Sequence, residues 1–284
     1  MLYASNIPIF DYLGISAMHS IGVTGKGINI CSRESNTSKH GRKVFDIIQQ
    51  IVPDANIIIK QHYYDLKQHV DIYTTSLFNK DDTKEINKNI AKDLYAKDTF
   101  LVCAVGNEEY ESCTSLSKED VWTSIGACNY KDGKVKRLSY SSITDNIDFM
   151  SITNLETSLG TFTGSSCSAP VFASMCALVQ SYYLQVSGKK LTNAELLEFI
   201  KVNCIDLDKK GFDNKTGYGL FKIPEMGLKM FTDYTEWKQA VYYLASQGQM
   251  DSPDYWINRI IRDYDVNLMW FCVKWANCLY KNSQ

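Results

Sequence analysis

The alternation of short apolar runs with helical patterns is the feature that most narrows the folds open to this chain. Strand-like runs bounded by glycine or polar residues occur at 27–32, 56–61, 70–77, 99–105 and 121–128. Apolar residues at helical spacing occupy 40–51 and 82–97, between these runs. Strands that alternate with helices favour a parallel sheet. The sequence therefore predicts an α/β fold with a mostly parallel central sheet and helices on both faces.

The chain changes character after residue 227, where aromatic helical patterns continue without strand signals. Segments 235–248, 252–263 and 265–281 each show helical spacing or N-cap residues. We therefore expect a main domain over 1–227 and a helical C-terminal extension over 228–284. Three aromatic helices can form a docking module for a substrate or a protein partner. They can equally form a lid that packs on the main domain for stability, and the pattern leaves both interpretations open.

Charge and cysteine usage bear on partners and compartment. The formal net charge is −2, and no run of Lys and Arg is long enough to predict a nucleic-acid or anionic-membrane partner. No apolar run has the length of a membrane span, and the N-terminus lacks the pattern of a secretory signal. The nine cysteines form no C-x-x-C pair, which favours reduced thiols and a cytoplasmic location, although a disulfide is not excluded.

Four polar side chains fall at predicted transitions between strands and helices. Glu34 follows the first run, His40 opens the next helix, Asn107 follows the fourth run, and Ser166 lies at the start of an apolar helix. Each has an ordinary structural explanation, such as a solvated loop acid, a turn residue or a helix cap. Together they indicate a functional site, because ligands of open α/β sheets bind at the carboxyl ends of the strands.

Several stretches resemble the subtilisin-like serine peptidases, the subtilases. "GSSCSAP" is similar to the family's nucleophile signature Gly-Thr-Ser-x-Ala-x-Pro, which implies that Ser166 is the nucleophile. "HGRKVFDII" resembles the helix that carries the general base, here His40, and "VCAVGNEE" resembles the oxyanion-hole segment, here Asn107. The resemblance extends from about residue 8 to residue 226, in the family's order of acid, histidine, asparagine and serine.

The acid position departs from the family pattern. Alignment of "GINICSRES" with the family's first strand places Glu34 where an aspartate is usual, only six residues before His40. Glutamate carries the same charge on a longer side chain, so it can hold the imidazole in the required tautomer, and Ser-His-Glu triads occur on another fold. We expect Glu34 to orient His40. The alternatives are a degraded site or orientation by another group, such as Ser32 or Ser35.

The resemblance implies a serine endopeptidase that hydrolyses peptide bonds through Ser166, His40 and Glu34, with Asn107 in the oxyanion hole. The alternative is a catalytically silent subtilase fold that binds peptides or regulatory partners. The Asn-, Lys-, Ile- and Tyr-rich composition is typical of a low-G+C bacterium or its phage. No cofactor is expected; the resemblance allows calcium, but no calcium site can be assigned.

The resemblance also implies a binding site for a polypeptide bound as an extended strand. "TSLF" is similar to the strand that pairs with substrate, and "CAVG" to the opposite wall of the primary pocket. The residues concerned are Ser76, Leu77, Phe78, Ala104, Val105 and Gly106. Phe78 stands where glycine is usual, so we expect a pocket narrowed against large aromatic side chains.

Residues next to the nucleophile and the histidine also differ from the family. Cys167 stands where methionine is frequent, either as a space-filling residue or as an oxidisable neighbour of Ser166. Cys167 is a less favoured candidate for the nucleophile itself. Arg42 and Lys43 follow His40, where they are either solvated charges or cations turned towards the imidazole.

Overall fold

The computed structural model describes residues 3–35, 37–60, 66, 68–77, 85–108, 116–226, 237–263, 272, 275 and 276. The chain divides into two compact units, residues 1–184 with 189–224, and residues 185–188 with 225–284. The boundary predicted between residues 227 and 228 lies outside the described residues and stays a prediction.

The first unit is built on a sheet of nine described strands. Their bounds are Asn29–Ser32 (β1), Asn56–Ile59 (β2), Ile72–Thr75 (β3), Phe100–Ala104 (β4), Trp122–Lys131 (β5), Lys134–Arg137 (β6), Phe149–Ile152 (β7), Cys204–Ile205 (β8) and Leu220–Phe221 (β9). The order is β2-β1-β3-β4-β5-β7-β9-β8, with β6 paired to β5. Only the β5–β6 and β8–β9 pairs among these are antiparallel, so the predicted mostly parallel α/β sheet is confirmed.

Helices occur before and between these strands along the chain. Their bounds in the first unit are Ile7–Leu13 (α1), Ile15–Ser20 (α2), Lys39–Ile51 (α3), Glu85–Ala96 (α4), Ser165–Ser187 (α5), which runs past residue 184, and Asn193–Val202 (α6). Short 3-10 turns occupy Ala4–Asn6 and Leu116–Lys118. Every residue of β3, β4 and β7 is buried, as parallel strands are when helices cover both faces of a sheet.

The second unit contains the helices Trp237–Ser246 (α7) and Pro253–Asp263 (α8). Its buried core is formed by Trp237, Ala240, Val241, Leu244, Ile257, Cys272 and Ala276. The two helices fall within the predicted segments 235–248 and 252–263, whereas the predicted helix 265–281 lies largely outside the described residues. Within the described parts of the chain, no helix combines the length and apolar character needed to span a membrane.

Candidate active site

Three neighbouring strands carry candidate residues at their carboxyl ends. Strand β3 pairs in parallel with β1 on one side and with β4 on the other. Glu34 follows the end of β1, Ser76 follows β3, and Asn107 follows β4. Because parallel strands present their carboxyl ends at one edge of the sheet, the topology brings these three side chains to the same edge.

Glu34 is buried and contacts the imidazole of His40. Its Oε2 atom lies 3.1 Å from His40 Nδ1, and its Oε1 atom accepts a hydrogen bond of 3.1 Å from the backbone N–H of Ser76. The Glu34 side chain is 1% exposed, and that of His40 is 34% exposed. A carboxylate only accepts hydrogen bonds, so Nδ1 of His40 carries the proton and Nε2 is left with its lone pair. This is the tautomer that a general base needs.

The other residues considered for orienting His40 have different surroundings. The Ser35 hydroxyl shares a 2.7 Å hydrogen bond with the Thr37 hydroxyl. The Ser32 hydroxyl is buried and has no hydrogen-bond partner among the described residues. Of the residues considered for orienting His40, Glu34 is therefore the one that contacts the imidazole.

Hydrogen bonds from Ser38 link the residue after Glu34 to the start of α3. The Ser35 carbonyl accepts hydrogen bonds from the backbone N–H and the hydroxyl of Ser38, at 3.1 and 3.0 Å. Ser38 in turn caps α3, since its hydroxyl accepts the N–H of Gly41 at 2.9 Å. A Cβ atom at Gly41 would lie 2.1 Å from the Ser35 carbonyl oxygen. The first turn of α3 can therefore lie against Ser35 because position 41 has no side chain.

Ser166 is the second residue of α5, a helix that is otherwise buried along most of its length. Every residue from Ser165 to Ser181 is buried except Ser166, which is half-exposed. The preceding Gly164 has φ +84°, a left-handed conformation that non-glycine residues adopt rarely. Its carbonyl accepts the N–H groups of Cys167 and Ser168, at 3.0 and 3.2 Å. Ser166 is thus the one position between residues 165 and 181 whose side chain reaches the solvent.

Asn107 packs against this turn and is fixed in orientation by it. Its Oδ1 atom accepts the backbone N–H of Ser165 at 2.8 Å, so its Nδ2 group is the donor directed elsewhere. A Cβ atom at Gly164 would lie 2.9 Å from Oδ1 and 3.1 Å from Nδ2 of Asn107. Gly106 adds a second link, because its N–H donates to the Ser165 hydroxyl at 3.3 Å. The exposed Asn107 amide is therefore available to donate to a ligand beside Ser166.

Ser76 forms hydrogen bonds both to Glu34 and to the backbone of Ser166. While its N–H binds Glu34, its hydroxyl donates to the carbonyl of Ser166 at 2.8 Å. That carbonyl lacks the usual helix partner, because the residue four positions later is Pro170, which has no N–H. The Ser76 hydroxyl therefore supplies the hydrogen bond that the helix cannot make. Sequence reasoning assigned Ser76 to substrate binding, and that contact stays a prediction.

Tyr140 is a residue of this site that sequence reasoning did not select. Burial raises the pKa of its phenol, and the backbone of Gly164 partly opposes this rise. Two residues later, Ser142 donates its N–H to the Gly106 carbonyl at 3.3 Å and its hydroxyl to the Glu108 carbonyl at 2.9 Å. The segment 140–142 thus links both sides of the Asn107 position. The sequence signal that could have found it is the resemblance of residues 121–151 to the subtilase stretch that runs from Val-Ile-Ala-Val-Gly-Ala through Ser-x-Phe-Ser.

The remaining predicted pocket residues differ in accessibility. Leu77 is exposed, whereas Ala104 and Val105 are buried. The carbonyl and the N–H of Gly106 are both bonded within the protein. Phe78 lies outside the described residues, so the narrowed pocket stays a prediction, as do the peptide contacts of the other residues.

Cys167 follows Ser166 in the chain but points into the core. It is fully buried, and this burial raises the pKa of its thiol to about 12. The thiolate is the reactive form of cysteine, so the structure favours the space-filling role over an oxidisable or nucleophilic one. Among the described residues, no group of three or more His, Cys, Asp and Glu side chains forms a metal-binding arrangement. Calcium binding stays an expectation without a site.

Comparison with known proteins identifies the family. The subtilase family model matches residues 53–219, a range that includes Asn107 and Ser166 but begins after Glu34 and His40. The chain is 27% identical over 242 residues to the minor extracellular protease Epr of Bacillus subtilis (strain 168). That match covers 74% of this chain but only 36% of the relative's length.

Solved structures of low sequence identity share the fold. The PatG macrocyclase domain aligns with a TM-score of 0.64 and 14% identity, over 76% of this chain and 94% of its own. A lanthipeptide protease aligns with a TM-score of 0.57 and 15% identity, over 75% and 92% of the two chains. Sphericase aligns with a TM-score of 0.56 and 14% identity, over 71% and 93%. With more than half of its length matched by the family model, this chain belongs to the subtilase family, whose members are serine peptidases.

Proposed function

We propose that this protein is a serine endopeptidase in which Ser166, His40 and Glu34 form the catalytic triad and Asn107 contributes to the oxyanion hole. The observation that carries the proposal is the contact between buried Glu34 and His40 Nδ1. It supplies an acid behind the ring although glutamate stands where the family usually has aspartate. A solvated carboxylate at residue 34 would have removed the basis for hydrolysis.

The geometry supports a two-step acyl transfer. Nε2 of His40 takes the proton of the Ser166 hydroxyl as Oγ attacks the substrate carbonyl carbon, and Glu34 stabilises the imidazolium that forms. The carbonyl oxygen becomes negative and accepts hydrogen bonds from Asn107 Nδ2 and the backbone N–H of Ser166. That N–H lies in the first turn of α5, where helix N–H groups lack intrahelical partners and the helix dipole favours negative charge.

Collapse of this intermediate breaks the peptide bond. His40 gives its proton to the departing amine, which leaves the acyl group on Ser166. Water then takes the place of the amine, His40 removes its proton, and the carboxylic acid product is released with Ser166 restored. Glu34 keeps the ring in one orientation through both steps, because each of its oxygens is held by an N–H donor.

The substrate and the compartment are further parts of this proposal. An extended polypeptide would pair with the main chain of residues 76–78 on its acyl side, as the family resemblance implies. The described cysteines are all free thiols, which supports the cytoplasm as the compartment. The C-terminal helices are retained as a candidate docking module for a partner, supported by their own buried core.

Labelling with a fluorophosphonate probe tests the proposal directly. The wild-type protein should be labelled on Ser166 and should cleave casein, whereas Ser166→Ala and His40→Ala should do neither. Ser158→Ala is a matched control at an exposed serine and should behave as wild type. Peptide mapping identifies the labelled residue. An unlabelled, inactive wild-type protein that binds peptides would instead support the silent binding module.

A further inference from the structure

The Lys43 ammonium and the His40 imidazole both lie close to the ring of Phe162. It follows His40 by three residues on α3, so the two side chains share a face of the helix. The Phe162 and His40 rings pack perpendicular to each other, with 5.3 Å between ring centroids. The ammonium of Lys43 lies 5.9 Å from the centroid of the same Phe162 ring and donates to the Thr161 carbonyl at 2.6 Å. The hydrogen bond to Thr161 thus holds the Lys43 ammonium beside the ring of Phe162.

The charge of Lys43 is not neutralised by an ion pair with any described residue. Glu156 accepts the Thr161 hydroxyl at 2.5 Å, and Asp46, three residues after Lys43 on α3, accepts the Ser158 N–H at 2.7 Å, so neither acid is paired with Lys43. One hydrogen bond to Thr161 leaves the ammonium with two further N–H donors. Lys43 can therefore bind an additional anion.

The chemistry of the reaction places the leaving peptide near this cation. His40 must protonate the departing amine, so the first residue after the cleaved bond has to lie against the imidazole. Phe162 contacts the imidazole, and the Lys43 ammonium lies near the Phe162 ring. The acyl half of the substrate is expected along residues 76–77, which begin at Ser76, whose N–H binds Glu34 behind the imidazole. A cation in this position meets the side chain that follows the cleaved bond.

We propose that Lys43 makes the enzyme prefer peptides with an acidic side chain directly after the cleaved bond; this rests on the proposed peptidase function. The ammonium binds the carboxylate of Asp or Glu in the leaving peptide. A free C-terminal carboxylate on a short leaving peptide offers the same chemistry, and the two sources are separated by the experiment. The family resemblance does not carry this property, because Lys43 is one of the positions at which the histidine helix differs from the family.

The experiment compares quenched fluorescent peptides that differ only in the residue after the cleaved bond, with Glu, Gln or Lys at that position and an amidated C-terminus. Mass spectrometry verifies the cleavage position. For a solvent-exposed pair we expect kcat/KM for Glu to exceed that for Gln by about two- to fivefold, with Lys poorest. The preference should shrink as salt is raised, because salt screens exposed charges. A Gln peptide ending in a free carboxylate two residues after the bond tests the other source.

Variants of the cation assign the preference. Lys43→Met should abolish it, Lys43→Glu should reverse it towards the Lys peptide, and Lys43→Arg should retain it. Arg42→Met is the matched control, because Arg42 is an exposed cation on the same helix, and it should leave the preference unchanged. Circular dichroism verifies folding, and Lys43→Glu against Lys43→Arg still tests the charge if Lys43→Met fails to fold.

The outcomes separate this inference from the proposed function. Equal kcat/KM for the Glu and Gln peptides, or a preference that survives in Lys43→Met, overturns the role of Lys43 while labelling and cleavage still support the peptidase. An acceleration seen only with the free C-terminal carboxylate overturns the side-chain preference in the same way. Absence of both probe labelling and cleavage in wild type overturns the peptidase itself.

Discussion

The two halves of the candidate site differ in how much of their family pattern they keep. The half that contains Asn107 and Ser166 lies inside the region matched by the family model, whereas the half with Glu34 and His40 precedes it. Yet each half is fixed by hydrogen bonds of similar length, such as Ser165 to Asn107 and His40 to Glu34. Glu34 and His40 therefore lie in hydrogen-bond contact although the family model does not extend to them.

The reason lies in what constrains each half. The serine half depends on the backbone: Gly164 has a left-handed φ and leaves no room for a side chain beside Asn107. Such a turn requires glycine at this position. The histidine half depends on a carboxylate that reaches Nδ1, and here the Glu34 carboxylate lies 3.1 Å from that atom. The first requirement ties the backbone to one residue type, whereas the second can be met by a side chain of either length.

The largest effect that would sharpen this comparison is expected from Glu34→Gln. Both Glu34 oxygens accept N–H donors, so the amide group of Gln would face a donor and favour the wrong histidine tautomer. We expect kcat to fall about 10⁴-fold with KM little changed, as for loss of the acid in other triads. Steady-state kinetics with Glu198→Gln, an exposed glutamate on α6, provides the control. A Glu34→Gln enzyme that keeps a tenth of wild-type kcat would show that another group orients His40.

A smaller but still large effect is expected on the serine half from Asn107→Ala. The variant removes the Nδ2 donor to the developing oxyanion, and we expect kcat to fall about 10²- to 10³-fold with little change in KM. Asn107→Asp keeps the acceptor for Ser165 N–H but not the donor, so it should be at least as impaired. An Asn107→Ala enzyme with unchanged kcat would exclude the side chain from the oxyanion hole.

The smallest of the three effects tests the residue that joins the halves. Ser76→Ala keeps the N–H bonded to Glu34 but leaves the Ser166 carbonyl without a donor, which typically costs about 1–3 kcal/mol. If this cost falls on the catalytic arrangement, kcat should decrease about five- to a hundredfold. Pro170→Ala restores an N–H four residues after Ser166, so the double variant should recover much of the lost kcat.

Rescue by the proline substitution distinguishes positioning of Ser166 from a contact with substrate. If Ser76 acted mainly on substrate, Ser76→Ala would raise KM, and adding Pro170→Ala would not lower it again. Thermal unfolding of the single and double variants shows whether the loss concerns folding or the site. No recovery in the double variant would contradict the substitution of the Ser76 hydroxyl for a helix N–H.

Sequence reasoning predicted the repeating part of the fold better than its closure. The five predicted strands overlap β1 to β5, because buried parallel strands form distinct apolar runs. The strands β6 to β9 were not selected; β8 and β9 have two residues each, too few to produce a pattern. Short pairings of this kind are set by tertiary contacts rather than by local preference.

The same distinction applies to the site. Glu34, His40, Asn107 and Ser166 could be selected because each belongs to a local motif at a strand–helix transition. The hydroxyl of Ser76 could not be assigned to Ser166, because the two residues are 90 positions apart and no local pattern encodes the bond. The burial of Cys167 could not be predicted from the sequence either, because the direction of its side chain depends on how α5 packs in the core.

The burial of α5 has a practical consequence for testing the proposed activity. Because Ser166 belongs to a helix embedded in the interior, covalent labelling of its hydroxyl would report on the integrity of the whole hydrophobic centre. A titration with denaturant should therefore extinguish labelling together with global unfolding, in a single cooperative step. Selection for catalysis would then act as selection for a sound interior as well.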